Sequence, residues 1–222
     1  MSEKVSMNQY LKPTEFIKSD NAKVISFVND VVGIEKDKRD AIIKLFYEIR
    51  DGIPYHFYSI GIKKELFIAS NVIGVEGSFC IPKAVLLASA ACVIGVPSRL
   101  GFADVKNHLA TDKVLEKMKT DLFVFPGYTE LFINDKWVKA TPAFNKELCK
   151  KFNVKPLDFN GENDSVFQEY TESGDKYMDY LVDHGTFADM PFELMNTSFK
   201  NAYPLWYAEL KQGISERTNN VG

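Results

Sequence analysis

The chain has 222 residues, of which 45% are hydrophobic and 26% charged, a composition typical of a globular protein rather than a disordered or low-complexity one. Its 27 Lys and Arg residues against 30 Asp and Glu give a formal net charge of −3 and form no basic stripe, so nucleic acid is not an expected partner. The longest uncharged apolar run, residues 84–98, is shorter than the ~18–20 residues of a spanning helix, and no secretory signal is visible, so we expect no membrane partner and a cytoplasmic location.

Two helices are predicted within the first 52 positions. The first begins after Ser19-Asp20, keeps valine and phenylalanine at helical spacing and can end at Gly33. The second runs from about Asp37 to Arg50, with Gly52 as its stop. Residues 54–58, Pro-Tyr-His-Phe-Tyr, then form an extended aromatic segment.

A third helix is predicted from Ser78, a favourable N-cap residue, to Gly95. It has almost no polar face, which indicates the central buried helix of the fold. Pro82 fits this helix only in the first turn, where a missing backbone N–H costs little. The same placement puts Cys80 in the first turn.

The pattern changes to strands after Val96-Pro97. Aromatic and β-branched residues predict strands at residues 99–104, 122–125, 128–133 and 137–141. Asn134-Asp135 suits a two-residue hairpin turn between the last two strands, and residues 111–119 form a short amphipathic helix. Helices followed by an antiparallel sheet indicate an α+β fold.

Beyond Lys155 the pattern weakens, and we predict a loop at 160–164 and helices at 176–183 and 191–203. No repeat or linker interrupts the chain, so we expect one domain over residues 1–212. Within it the core covers about 40–145 and a C-terminal helical extension covers 146–212, while 213–222 form a flexible tail.

Cys80 is the most promising chemical group. The three cysteines are odd in number and unpatterned, which argues against a disulfide framework and for a reducing compartment. At a helix N-terminus the free N–H groups and the macrodipole favour a thiolate, and the Cys80 N–H can help to bind an oxyanion. The alternative is a buried small hydrophobe, which is our interpretation of Cys92, while Cys149 is typical of an ordinary helix position.

Two blocks of sequence occur in a recognisable order. The first is Gly-Ser-Phe-Cys-Ile-Pro-Lys-Ala-Val-Leu-Leu at 77–87, followed by Gly-Val-Pro-Ser-Arg-Leu-Gly-Phe-Ala-Asp at 95–104. The second is Gly-Tyr-Thr-Glu-Leu-Phe-Ile-Asn-Asp-Lys-Trp-Val-Lys-Ala-Thr-Pro-Ala at 127–143. Together they resemble the transglutaminase-like superfamily, in which a nucleophilic Cys begins a helix ending in Gly-Ile-Pro-x-Arg. There the second block has the form His-x-Trp/Tyr-x-Glu-Val, a turn, Gly-x-Trp and Asp-Pro-Thr.

The resemblance covers roughly positions 40 to 145, and residues 154–158 and 185–189 are similar to a bacterial subgroup of such proteins. It implies a papain-like fold in which N-terminal helices precede a central buried helix packed on an antiparallel sheet. It also implies that Cys80 is the nucleophile. The family's Cys attacks a carbonyl, its His carries protons, and its Asp orients the His.

This chain departs from the family at two of those three positions. The family's His falls four residues before Glu130, where this sequence has Pro126, and the family's Asp position holds Thr141. The predicted hairpin makes these two positions diagonal neighbours across the strands. A proline side chain cannot accept or donate a proton. We therefore expect Cys80 to attack thioesters more effectively than amides, because the amine that leaves an amide must receive a proton.

Other side chains are candidates for the remaining roles. His108 follows the strand after the Cys helix and is the candidate substitute base, with a surface histidine as the alternative. Tyr128 and Glu130 match family positions beside the missing His, and we assign them with His56 to substrate binding; the first two are alternatively sheet-face residues, and Glu130 can pair with Arg99. No His or Cys pair has metal-ligand spacing, so neither a metal nor another cofactor is expected.

Two hypotheses for the function follow. In the first, the chain is a cysteine-dependent acyltransferase or an amide or thioester hydrolase of weak or altered activity, acting through Cys80 on a peptide, protein or small acyl substrate. In the second, it is a catalytically degenerate member that keeps the fold to bind a peptide or small molecule. A variant of the first is that Pro126 is an isolated replacement in an otherwise active lineage.

Overall fold

The N-terminal helices of the protein form where the sequence predicts them. In the computed structural model, which describes residues 7–167, 170–171 and 173–212, they are α1 (Ala22–Val32) and α2 (Lys38–Gly52). The side chains of Asn21 and Asp37 accept backbone N–H groups at the two helix starts, and Gly33 ends α1 with φ of 60°, which glycine adopts without strain. The tail predicted at 213–222 lies outside the described residues.

The central helix is α4 (Cys80–Val93), and every residue from Ile81 to Ala91 is buried. It begins later than predicted, because Ser78 does not cap it. Instead, the Ser78 N–H donates to the Pro54 carbonyl at 2.9 Å, and the Ser78 carbonyl accepts the His56 N–H at 2.7 Å. The segment between α2 and α4 contains three short elements that the sequence pattern did not predict: 3₁₀ turns at Phe57–Ser59 and Lys64–Phe67, and helix α3 (Ala69–Val72).

Helix α4 packs on a five-stranded antiparallel sheet, which confirms the predicted α+β class. The strands are β1 (Ser98–Asn107), β2 (Leu122–Phe123), β3 (Gly127–Ile133), β4 (Lys136–Ala140) and β5 (Met178–Phe187). Strands β2 and β3 pair with successive parts of one edge of β1, β5 pairs with the other edge, and β4 lies outside β3. The Thr129 hydroxyl donates to the Ala84 carbonyl at 2.8 Å, which fixes β3 against the helix.

The β3–β4 hairpin confirms the predicted turn. Asn134 and Asp135 have φ of 49° and 62°, as both central residues of a type I′ turn require. The pairs run from Ile133↔Lys136 to Thr129↔Ala140, which is the register that this turn predicts.

The C-terminal part contains one clear error of prediction. Residues 176–183 do not form a short helix, because most of them belong to β5, whose backbone pairs with β1 from Leu100↔Phe187 to Asn107↔Met178. Helix α7 (Phe192–Ala202) confirms the helix predicted at 191–203. The other helices are α5 (Asp112–Met118), α6 (Lys146–Lys151) and α8 (Pro204–Gln212). No helix among the described residues has both the length and the apolar composition that crossing a membrane requires.

Candidate functional site

Cys80 lies at the first position of α4, as predicted, and is partly exposed. Burial of the thiol is the largest influence on its pKa and raises it above the ordinary range. Backbone hydrogen bonds from Gly127, Ile81 and Cys80 itself lower the pKa, as does the charge of Lys83, but they do not cancel the effect of burial. The helix terminus therefore lowers the pKa of Cys80, as expected. The expectation that the thiolate is favoured overall is wrong, because burial raises the pKa by more than the helix terminus lowers it.

A small pocket of about 40 Å³ adjoins Cys80, and we call it the thiol pocket. Its walls are apolar and mostly aromatic, and come from the segment before α4, from the sheet and from the C-terminal helices. They consist of Tyr55, Phe57, Ile60, Phe79, Ile81, Met118, Phe123, Val124, Phe125, Pro126, Phe199, Tyr203 and Trp206. The thiol thus faces an opening rather than a continuous core, and this opening is lined by aromatic rings.

One wall of the thiol pocket is a break in the sheet at residues 124–126, between β2 and β3. Phe125 has φ of 63°, a strained conformation for a residue other than glycine. Side chains satisfy the backbone groups that the break frees: Tyr203 Oη accepts the Val124 N–H at 2.7 Å, and Asp104 Oδ1 accepts the Phe125 N–H at 2.9 Å. The break carries Pro126 into the lining of the pocket that Cys80 also lines.

Position 126 therefore lines the same pocket as Cys80, and it holds a proline, whose side chain has no titratable group. Thr141 is buried, and its N–H donates to the Ser165 carbonyl at 2.9 Å. The structure supplies neither the family's base nor its orienting carboxylate at these two positions.

A histidine–carboxylate pair that sequence reasoning missed lies behind the break. His184 Nε2 donates to Asp104 Oδ1 at 2.7 Å, and the imidazole stacks on Phe125 with 4.6 Å between ring centroids. Phe125 lines the thiol pocket and His184 does not. The phenyl ring of Phe125 therefore lies between the imidazole and the pocket. The sequence carried no signal for the pair, because the segment around His184 was predicted as a helix and its strand partner was unknown.

Lys83 is a second residue that the sequence analysis missed. Its side chain is fully buried, and its ammonium donates to the carbonyl oxygens of Arg50, Ile53 and Ala143 at 2.9, 2.6 and 2.7 Å. Burial lowers its pKa to about 7. A signal was present, since Lys83 is the one charged residue in the apolar sequence of α4.

His108, the predicted substitute base, lies elsewhere. It follows the end of β1, and its Nε2 contacts Asp179 Oδ2 at 2.8 Å on the protein surface. It lines neither the thiol pocket nor the larger cavity described below. The assignment of His108 as base is therefore wrong in this structure, because the turn after β1 carries the imidazole away from α4.

Tyr128 and Glu130 lie on the sheet face opposite α4. Thr129 between them points at the helix, and alternate residues of a strand face opposite sides. Glu130 Oε2 accepts a hydrogen bond from Arg99 Nε at 2.6 Å and also lies 2.6 Å from Arg99 Nη2, so the predicted pair with Arg99 forms. Both residues are thus sheet-face residues turned away from Cys80, which corrects their assignment to substrate binding there.

His56 is exposed and lines a second cavity of about 620 Å³. Residues 54–56 pair with Ser78, which precedes the first residue of α4 by two positions. This pairing holds the backbone of His56 close to the start of α4. Of the three residues assigned to substrate binding, His56 alone lies next to a cavity near Cys80. In the described part of the chain, no three His, Cys, Asp or Glu side chains converge in a group that could hold a metal ion.

The likeness to a solved structure concerns the fold. No protein-family model matches the chain, and no curated protein matches it. The chain is similar to the crystal structure of a candidate cysteine protease from Cytophaga hutchinsonii, with a TM-score of 0.55 and 14% sequence identity. The match covers 86% of this chain and 50% of that one, so this chain spans half the length of the structure it matches. The likeness therefore concerns the α+β fold, which is consistent with a papain-like arrangement.

The raised thiol pKa makes a direct prediction for alkylation. Because burial keeps Cys80 protonated, its reaction with iodoacetamide at pH 7 should be slower than that of glutathione and should increase steeply through pH 9 and above. Mass mapping of the modified peptides separates Cys80 from Cys92 and Cys149, and urea-unfolded protein provides the control rate for accessible thiols. A rate that levels off below pH 8 would mean that the backbone N–H groups outweigh burial.

Proposed function

We propose that the protein is a transglutaminase-like cysteine enzyme that transfers or hydrolyses activated acyl groups through Cys80. The observation that carries the proposal is the placement of Cys80, which begins the central helix and lines the thiol pocket. The likeness of the fold to that of a candidate cysteine protease and the two sequence blocks support the same role. The proposed substrate is a peptide, a protein or a small acyl compound.

The proposed reaction needs no cofactor. The Cys80 sulfur forms a bond to the carbonyl carbon, the leaving thiol or alcohol departs with the proton of the Cys80 thiol, and the acyl-cysteine then passes its acyl group to water or to an amine. The N–H groups of the first turn of α4 can stabilise the negative charge that develops on the carbonyl oxygen.

The lack of a base at position 126 sets the expected rate and substrate. General acid–base assistance contributes ~10²–10⁴ in rate, and a protonated, buried thiol adds the cost of losing its proton. A thiolate leaving group departs without protonation, whereas an amine does not. We therefore propose slow turnover of thioesters and little cleavage of amides.

The proposal is tested with an N-acetylcysteamine thioester, whose blocked amine cannot take up the acyl group, and with Cys80→Ala. Wild-type protein should release free thiol above the background rate, and Cys80→Ala should reduce this release by at least about 100-fold, since loss of a covalent nucleophile removes the reaction path. Cys92→Ala is the matched control, because Cys92 lies at the far end of the same helix, and it should keep the wild-type rate. Equal rates for wild type and Cys80→Ala would reject the catalytic role.

A second candidate function is that of a binding module. Pro126 and Thr141 at the family's His and Asp positions, together with the raised pKa of Cys80, favour it. In that case wild-type protein shows no turnover, and Cys80→Ala retains ligand affinity. Turnover that disappears in Cys80→Ala would exclude it.

A further inference from the structure

The larger cavity, which we call the aromatic cavity, has a volume of about 620 Å³ and lies beside the thiol pocket. This volume falls within the range of small-molecule sites in proteins, about 300–1,000 Å³. Its lining is mainly apolar and includes the rings of seven phenylalanine and tyrosine residues, Tyr55, Phe57, Tyr58, Phe123, Phe144, Phe152 and Tyr177.

The aromatic cavity and the thiol pocket share walls. Tyr55, Phe57 and Phe123 line both. Cys80 and Tyr55 also pack against both hydrophobic clusters of the protein, the main core and the smaller one around Tyr177. The thiol therefore lies at the boundary between the two spaces, within one side chain of the aromatic cavity.

Charge is confined to the mouth of the aromatic cavity. The charged lining residues are Asp112, Lys113 and Lys151, and all three are exposed. The Cys149 thiol also lines the cavity and is buried. Burial raises its pKa, so this side chain adds no charge to the interior. The interior thus suits an uncharged apolar chain and excludes a charged one, which would lose its hydration without a partner.

We propose that the aromatic cavity binds the apolar acyl chain of the substrate, so that Cys80 acts on the carbonyl of a medium-chain acyl group. This inference rests on the proposed function for its reacting carbonyl and adds the substrate class. In this arrangement the apolar end of the chain lies among the rings, and its carbonyl end extends past the shared walls Tyr55, Phe57 and Phe123 to Cys80, which lines the thiol pocket and not the aromatic cavity.

Binding is measured first without any reaction, by calorimetric titration of Cys80→Ala with butanamide and octanamide. Each buried methylene increases affinity about fourfold, so octanamide, with four more methylenes, should bind about 250-fold more tightly than butanamide. Amides are used because neither carries a charge or reacts. Similar affinities for the two amides, or no binding of octanamide, would overturn the proposal.

The cavity itself is tested by filling it. Leu148 lines the aromatic cavity from α6, whereas Leu115 on α5 is similarly half-buried and lines neither space. In the Cys80→Ala background, Leu148→Trp should weaken octanamide binding at least 10-fold, and Leu115→Trp should leave it unchanged. If Leu148→Trp fails to fold by circular dichroism, Ala110→Phe fills the same cavity from the opposite chain segment. Octanamide binding that survives in the folded filling variant contradicts the assignment.

Turnover then separates the two proposals. If octanamide binds in the aromatic cavity but wild-type protein does not cleave octanoyl thioester, the acyl site stands and the catalytic function fails. If acetyl and octanoyl thioesters are cleaved at the same rate in a Cys80-dependent reaction, the catalytic function stands and the acyl site fails.

Discussion

Lys83→Met should lower the free energy of unfolding by about 3–5 kcal/mol, because it leaves three buried carbonyl oxygens without their donor. Methionine matches the length of the lysine stem, so the apolar packing of α4 is largely retained. The ammonium connects α4 to the end of α2 and to the segment after β4, through Arg50, Ile53 and Ala143. The change is measured by urea unfolding followed by circular dichroism.

Lys44→Met is the matched control, since Lys44 is exposed on α2 and its ammonium forms a surface ion pair with Glu35. It should leave the urea midpoint unchanged, as is usual for an isolated surface ion pair. A Lys83→Met midpoint close to that of the control would show that the three carbonyls find other donors, such as water.

The pH dependence of the same difference has a definite sign. The pKa of Lys83 is about 7 in the folded protein, whereas an unfolded lysine titrates near 10.4. Between these values the unfolded chain holds a proton that the folded protein has released, so wild-type stability rises with pH relative to Lys83→Met. The difference in free energy of unfolding should therefore be constant below about pH 6 and increase from pH 7 to 9. A difference that stays constant over this range would mean that the ammonium keeps its proton in the interior.

Sequence reasoning predicted the parts of the fold whose signals are local. The spacing of the valines predicted α1, the lack of a polar face predicted the buried helix that begins at Cys80, and Asn134-Asp135 predicted the hairpin with its register. In each case a few neighbouring residues determine the backbone through helix periodicity or turn conformation.

It failed where partners distant in sequence decide the structure. Residues 178–187 form β5 because β1 offers an unpaired edge, and no local pattern shows that edge. The His184–Asp104 pair follows from the same pairing and was missed with it. His108 was assigned as base from its place in the chain, but the turn after β1 directs it to the surface.

The pKa of Cys80 was misjudged for a related reason. A helix terminus is visible in the sequence, whereas burial depends on what covers the thiol. Phe199, Tyr203 and Trp206, which lie more than 100 positions away, line the thiol pocket, and burial outweighs the backbone N–H groups. The C-terminal part of the chain thus contributes to the pocket that surrounds this thiol.

Trp206→Ala should increase the rate of Cys80 alkylation about 10- to 100-fold at neutral pH. Trp206 is 5% exposed, stacks on Phe57 with 5.2 Å between ring centroids, and lines the thiol pocket from α8. Truncating a buried tryptophan costs about 3–5 kcal/mol of stability. Each 1.4 kcal/mol by which the substitution weakens the packing of α8 increases the population of the state with α8 detached about tenfold. Leu205→Ala, on the same helix but 68% exposed, should leave the rate unchanged.

Cys149 distinguishes local opening from general unfolding in the same experiment. It is buried in α6 and does not line the thiol pocket. If α8 alone detaches, Trp206→Ala accelerates the alkylation of Cys80 and not that of Cys149, whereas global destabilisation accelerates both equally. An unchanged Cys80 rate would show that reagents reach the sulfur without movement of α8, and the raised pKa alone would then account for its slow reaction. Selective acceleration would identify the C-terminal helices as the elements that control access to the Cys80 thiol.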